Sequence, residues 1–135
     1  MGWYTIEKTG IEVDQRVLSS ECLPFENDTF DCVVSTFTLC SIADVGQALG
    51  EVCRVLKRGG LFLLLEHGLS PDPNVQRWQR SLNWLEMRLG DGCHLDRAIR
   101  GLVAAQPFSS VEMGEFYIGN FPKTHGYMYR GIATK

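Results

Sequence analysis

LPFENDTFDCVVSTFTLCSIADVGQALGEVCRVLKRGGLFLLLEHG, residues 23 to 68, decides how this chain folds. Within it, Asp31 to Thr36 (DCVVST) is short, rich in β-branched residues and apolar on both faces, as a strand covered on both sides must be. Asp44 to Leu56 switches to helical spacing and places Val45, Leu49, Val52 and Leu56 on one face. Gly59-Gly60 can adopt the positive φ that closes a helix, and Lys57 and Arg58 suit its negative C-terminal end. Leu61 to Glu66 (LFLLLE) is a second run without polar alternation. Two such strands joined by a helix make a right-handed βαβ unit, so the fold class is α/β, with parallel strands and helices over both faces.

Outward from this unit the signals are weaker. Ile11 to Leu18 (IEVDQRVL) alternates and predicts a less buried strand, and Ser19 to Phe30 is a loop around Pro24. Ser70 to Asn74 (SPDPN) breaks the chain and starts a helix that Asp72 or Asn74 can cap. The set Val75, Trp78, Leu82, Leu85 and Leu89 then follows the spacing of a packed helix face. Gly90 to Leu95 (GDGCHL) is a turn, and Asp96 to Ala105 is a shorter helix with Ile99, Leu102 and Val103 inward. Phe108 to Ile118 and Tyr127 to Thr134 read as an antiparallel strand pair at a sheet edge, because a loop and not a helix joins them. Nothing divides the chain, so residues 1–135 form a single domain.

The totals narrow the function classes. A hydrophobic content of 44% with 21% charge is that of a globular protein, and a net charge of −3 with scattered Lys and Arg argues against nucleic acid as a partner. No apolar run approaches the roughly 20 residues of a membrane span. A membrane surface as partner therefore has no support in the sequence. The chain shows no charged-then-apolar leader, so a cytoplasmic location is expected. The five cysteines are odd in number and lack C-x-x-C pairing, so reduced thiols are expected, with Cys32 and Cys53 as small buried hydrophobes. His67, His94 and His125 have no ligand spacing to each other or to the cysteines, so no metal is expected.

Ligands of open α/β sheets bind at the carboxyl ends of the parallel strands. Those ends are Ser19 to Leu23, Thr36 to Ile42 and Glu66 to Leu69.

L-P-F-x-x-x-x-F-D-x-V-V, then a short loop, then L-x-E-V-x-R-V-L-K-R-G-G, resembles the second half of class I S-adenosylmethionine-dependent methyltransferases. Thr38-Leu39-Cys40-Ser41, Glu66-His67 and the Gly90-Asp91-Gly92-Cys93-x-Leu95 turn are similar to the methyltransferase-like group that includes alkyl thiol methyltransferases. The ubiquinone/menaquinone biosynthesis methyltransferases are a more distant likeness. The resemblance implies a Rossmann-like sheet of order 3-2-1-4-5-7-6 and methyl transfer from S-adenosylmethionine to a small-molecule acceptor, with a lipophilic thiol as the nearest analogy. It also implies which residues act. Ser19, Glu21, Cys22 and Leu23 would flank the adenine, while Thr36, Phe37 and Leu39 would lie below the methionine moiety. His67, Asp91, Cys93 and His94 would surround the acceptor. It assigns no catalytic residue.

The chain departs from the family pattern at one end. Nothing before Ile11 offers the Gly-rich loop of the first strand, and Ser19 stands where the family places an acidic residue, with Glu21 two positions on. The expected fold is therefore a truncated Rossmann-like methyltransferase sheet, mostly parallel with an antiparallel C-terminal pair, lacking the first two strands. Such a sheet leaves the Asp31–Thr36 strand with an open edge. The Ile11 strand is then expected beside it or paired with a second molecule, and a homodimer by strand exchange is expected. A self-associating remnant without catalysis, or a subunit that completes a separate catalytic chain, are the alternative functions.

Overall fold

The computed structural model describes residues 10–135. Four strands form one sheet: β1 (Phe30–Thr36), β2 (Leu56–His67), β3 (Ser110–Tyr117) and β4 (Tyr127–Thr134), in the order β1-β2-β4-β3. β1 and β2 are parallel, with Val33 opposite Phe62 and Thr36 opposite Leu65. β4 runs antiparallel to both β2 and β3. Three strands therefore point the same way and β4 is reversed among them, which is the 4-5-7-6 portion of the expected sheet.

Helix α1 (Val45–Val55) is the crossover between β1 and β2. Asp44 caps it, its carboxylate accepting the Gln47 amide at 2.9 Å. Helices α2 (Pro73–Leu89) and α3 (Ile99–Ala104) lie between β2 and β3 in the chain. Phe62 and Leu64 of β2 and Tyr129 and Ala133 of β4 pack against Val45 and Leu49 of α1 and Ile99 and Val103 of α3. Leu49, Leu56, Phe62, Ile99 and Val103 are fully buried. Each such side chain contributes about 1.5–3 kcal/mol by leaving water.

Five expectations are corrected. Ile11–Leu18 is not a strand, and Ile11, Val13 and Val17 face solvent. A lone alternating segment has no ladder to join, and an unpaired strand is not stable in water. Helices do not cover both faces either. α1 and α3 share one face, whereas Val34, Leu61 and Ile132 on the other are exposed, Val34 by 65%. Cys32 follows from this: it sits on the uncovered face of an edge strand and is exposed, while Cys53 in α1 is buried as expected.

Gly59-Gly60 does not stop the helix. α1 ends at Val55, and Leu56 is already extended with φ −71° and ψ 138°. Lys57 to Gly60 instead form an excursion of β2, since Phe30 pairs with Leu56 but Cys32 pairs with Leu61. Gly59 is needed there for its φ of +77°. At Gly60 a Cβ would meet the Lys57 carbonyl oxygen at 2.7 Å.

α2 is rotated from its expected orientation. Val75 and Gln79 are buried, Leu82 and Leu85 are half-buried, and Trp78 and Leu89 face solvent. The helix lies across strand ends and a loop, so its inner side meets backbone polar groups. The Gln79 amide accepts the Ser70 N–H at 3.0 Å and donates to the Gly68 and Thr124 carbonyls at 2.9 and 3.1 Å. A leucine there could satisfy none of these.

Candidate active site

The parallel strands β1 and β2 release their chains side by side, so the loop after β1 and the end of β2 meet at one corner of the sheet. Phe37 turns the chain sharply with φ +50°, a left-handed conformation uncommon for a bulky residue. Its amide still donates to the Leu65 carbonyl at 3.0 Å, so the ladder continues into the turn. Beyond it, the fully buried Glu66 side chain gathers the loop. Its carboxylate accepts the Ser35 hydroxyl at 2.6 Å, the Thr38 amide at 2.9 Å and the Leu39 amide at 3.2 Å. Burial pushes the Glu66 pKa up, opposed by those donors.

The turn between α2 and α3 closes the corner from the other side. Asp91 and Gly92 both adopt positive φ, +51° and +77°, and the Cys93 amide donates to the Gly90 carbonyl at 3.0 Å. The His94 amide donates to the Cys40 carbonyl at 2.9 Å, and the Arg97 guanidinium donates to the Leu39 carbonyl. Cys93 Sγ thereby lies 3.3 Å from His67 Nε2. Cys40, His67 and Cys93 bring one ligand atom each within 4.8 Å of one another. The Phe37 ring stacks on the His67 imidazole, with centroids 6.3 Å apart.

These three groups share their protons. Burial pushes the Cys40 thiol up, but hydrogen bonds from His67, Ser41 and Cys93 outweigh it, and the net shift is downward. Cys93 moves the opposite way, through burial and its bond to Cys40. The Cys40 thiolate in turn raises His67 against the opposing effect of burial. The corner can hold a thiolate beside an imidazolium, a pairing suited to a proton in transit.

The other predicted residues fall elsewhere. Leu23 and Leu39 line one apolar groove of about 200 Å³ between β1 and α1, together with Ser20, Thr38 and Ile42. Glu21 is occupied by the start of α1: its carboxylate accepts the Asp44 amide at 2.7 Å. Ser19, Cys22 and Thr36 are exposed and do not line the groove. Asp91 is an exposed turn residue, and the His94 ring faces Asp96 at 3.9 Å. Cys40 and Glu66 complete the corner although neither was among the predicted site residues.

A family model described as a methyltransferase domain matches residues 4–64. Thiol S-methyltransferase TMT1B of Rattus norvegicus is 39% identical over 88 residues, 64% of this chain and 36% of that protein. The methyltransferase YcgJ of Bacillus subtilis is 38% identical over 77 residues, 57% of this chain and 29% of that protein. These stretches are similar to class I S-adenosylmethionine-dependent methyltransferases. The crystal structure of YcgJ shares the fold, with a TM-score of 0.66 at 18% identity, covering 97% of this chain and 73% of that one. A Haemonchus contortus phosphoethanolamine N-methyltransferase bound to S-adenosylhomocysteine aligns with a TM-score of 0.64 at 14% identity, covering 86% of this chain and 36% of that one. The matched stretches thus span little more than a third of the curated relatives at most.

The groove fits only part of the cofactor that such methyltransferases use. Its lining is Ser20, Leu23, Val33, Val34, Ser35, Thr38, Leu39, Ile42, Ala48, Val52 and Phe62, suited to a flat purine. It holds no charged side chain for ribose hydroxyls or an amino-acid end, and its volume falls below the roughly 300 Å³ at which ligand pockets begin.

Proposed function

We propose that this chain carries the acceptor side of a methyltransferase site and that the acceptor is a small thiol. The observation that carries the reading is the corner of Cys40, His67 and Cys93 at the carboxyl ends of β1 and β2, where ligands of such sheets bind. The thiol is suggested by the rat relative, whose name states that acceptor class. Here Leu23 and Leu39 supply a wall for the purine, Cys40, His67 and Cys93 border the acceptor, and Glu66 keeps the loop in place. The rest of the cofactor site comes from a further segment, in cis or in trans, placed along the open edge of β1. An edge that has no partner among the described residues and bears the exposed Val34 also favours self-association of two copies of the chain alone.

Calorimetric titration of S-adenosylhomocysteine into the purified chain tests the division of labour. Binding weaker than about 100 μM, worth less than roughly 5.5 kcal/mol, is expected for a half-site. Micromolar binding by this chain alone would overturn it. Incubation with labelled S-adenosylmethionine, a small alkyl thiol and an N-terminal segment of a relative should yield labelled thioether. Labelled amine or phenol products with no thioether would refute the thiol assignment.

A further inference from the structure

We propose that Cys40, His67 and Cys93 form a three-ligand site for a zinc-class divalent cation, with its fourth position open to a small thiol. Two thiolates and one imidazole are the donor set that favours zinc over harder ions. In a tetrahedral site with such ligands the donor atoms stand roughly 3.5 to 3.8 Å apart. The three here all lie within 4.8 Å of one another, with Cys93 Sγ and His67 Nε2 at 3.3 Å, so shifts of the side chains alone bring them to that spacing.

The backbone beneath each ligand is already fixed. Cys40 is held through its carbonyl by the His94 amide, Cys93 through its amide by Gly90, and His67 by the sheet opposite Met128. Phe37 stacks against the imidazole and limits its rotation. These ligands come from a strand-to-helix loop, a strand end and an interhelical turn, a convergence that hydrogen bonding between adjacent loops maintains. Among the described residues no carboxylate and no second imidazole joins the cluster. Three protein ligands leave one coordination position exchangeable, the arrangement of catalytic and not of structural zinc. A thiol entering that position binds as thiolate and gives its proton to solvent. This last step rests on the thiol-acceptor reading above; the metal site itself does not.

The full chain, reduced and stripped of metal, is titrated with zinc against a chromophoric chelator, and its cysteines are mapped by iodoacetamide labelling with and without the ion. One zinc per chain is expected. It should protect the half-buried Cys93, while the exposed Cys22 and Cys32 stay reactive and Cys40, buried in either state, is read through its variant. Cys40→Ser, Cys93→Ser and His67→Gln should each weaken binding by about 100-fold or more. No retained zinc, or protection of Cys22 and Cys32 instead, overturns the site, and the labelling of the unaltered chain decides this even if a variant misfolds. With cobalt in place of zinc, a small thiol should change the thiolate-to-cobalt absorption. Cobalt binding with an unchanged spectrum would refute the open position and the thiol acceptor, and would leave the three-ligand site standing.

Discussion

Glu66 accepts the Thr38 amide at 2.9 Å and so ties the end of β2 to the loop that leaves β1. With the Ser35 hydroxyl and the Leu39 amide it satisfies three donors from a position with no solvent exposure. Glu66→Gln keeps an oxygen for the Thr38 and Leu39 amides but sets an NH₂ against the Ser35 hydroxyl, which must turn to accept, and it removes the charge that strengthens the amide bonds. We expect a loss of about 1–3 kcal/mol in urea denaturation. A loss under about 0.5 kcal/mol would mean that the loop holds its shape without the carboxylate.

Gln79 is the second buried polar tie, bridging Ser70, Gly68 and Thr124. Gln79→Met keeps the volume but strands one N–H and two carbonyls. The expected cost is again about 1–3 kcal/mol. Hydrogen exchange at the Ser70 amide should accelerate more than exchange in β2, and a uniform change across both would contradict a local tie.

Glu51 is held down at about 2, first by its bond from Arg54 and then by the Leu23 amide. A carboxylate lowered on folding adds stability that is complete above its ordinary value of 4.5 and disappears as pH falls toward 2. An acid titration followed by circular dichroism should therefore be less steep between these limits in Glu51→Gln. Identical curves would show that the segment around Leu23 is not anchored in this way.

Val34 lies at the centre of β1, which has no strand partner on its outer side among the described residues, with 65% of its surface exposed. Val34→Lys should change monomer stability by no more than about 0.5 kcal/mol, as surface substitutions do. Sedimentation velocity should show the unaltered chain associating with concentration and the variant remaining monomeric. A monomeric unaltered chain at all concentrations would remove self-association from the account.

The middle of the fold was legible because its signals were local. A β-branched run gave β1, an unbroken apolar run gave β2, helical spacing after Asp44 gave α1, and Asp72 marked the start of α2. What was misread depended on neighbours. Apolar side chains at Cys32, Val34 and Leu61 state that a face is built to be covered, not that a helix is there to cover it. Gly59-Gly60 announced a positive φ correctly, but the same torsion serves a strand excursion as well as a helix end. Trp78 and Gln79 exchanged expected places because a helix lying on carbonyl groups needs an amide where one lying on a sheet face needs an indole.

The site was half legible. Parallel neighbours deliver their following loops to the same corner, so the proximity of Cys40 to His67 was implicit in the pairing of β1 with β2. Cys93 was not reachable in this way, because the turn that carries it is placed by the path of α2. Sequence spacing between cysteines and histidines finds ligands that share one hairpin or helix, and here three separate segments supply one each.

The side of the sheet bearing Val34, Leu61 and Ile132 stays wetted in the isolated chain. Unfolding then releases less newly hydrated hydrocarbon than a domain of this length usually does. The heat capacity increment should fall below the typical 12–15 cal/mol/K per residue, giving a low, flat stability curve in scanning calorimetry. Whatever layer settles on that side would steepen the curve, so the thermogram itself would report its arrival.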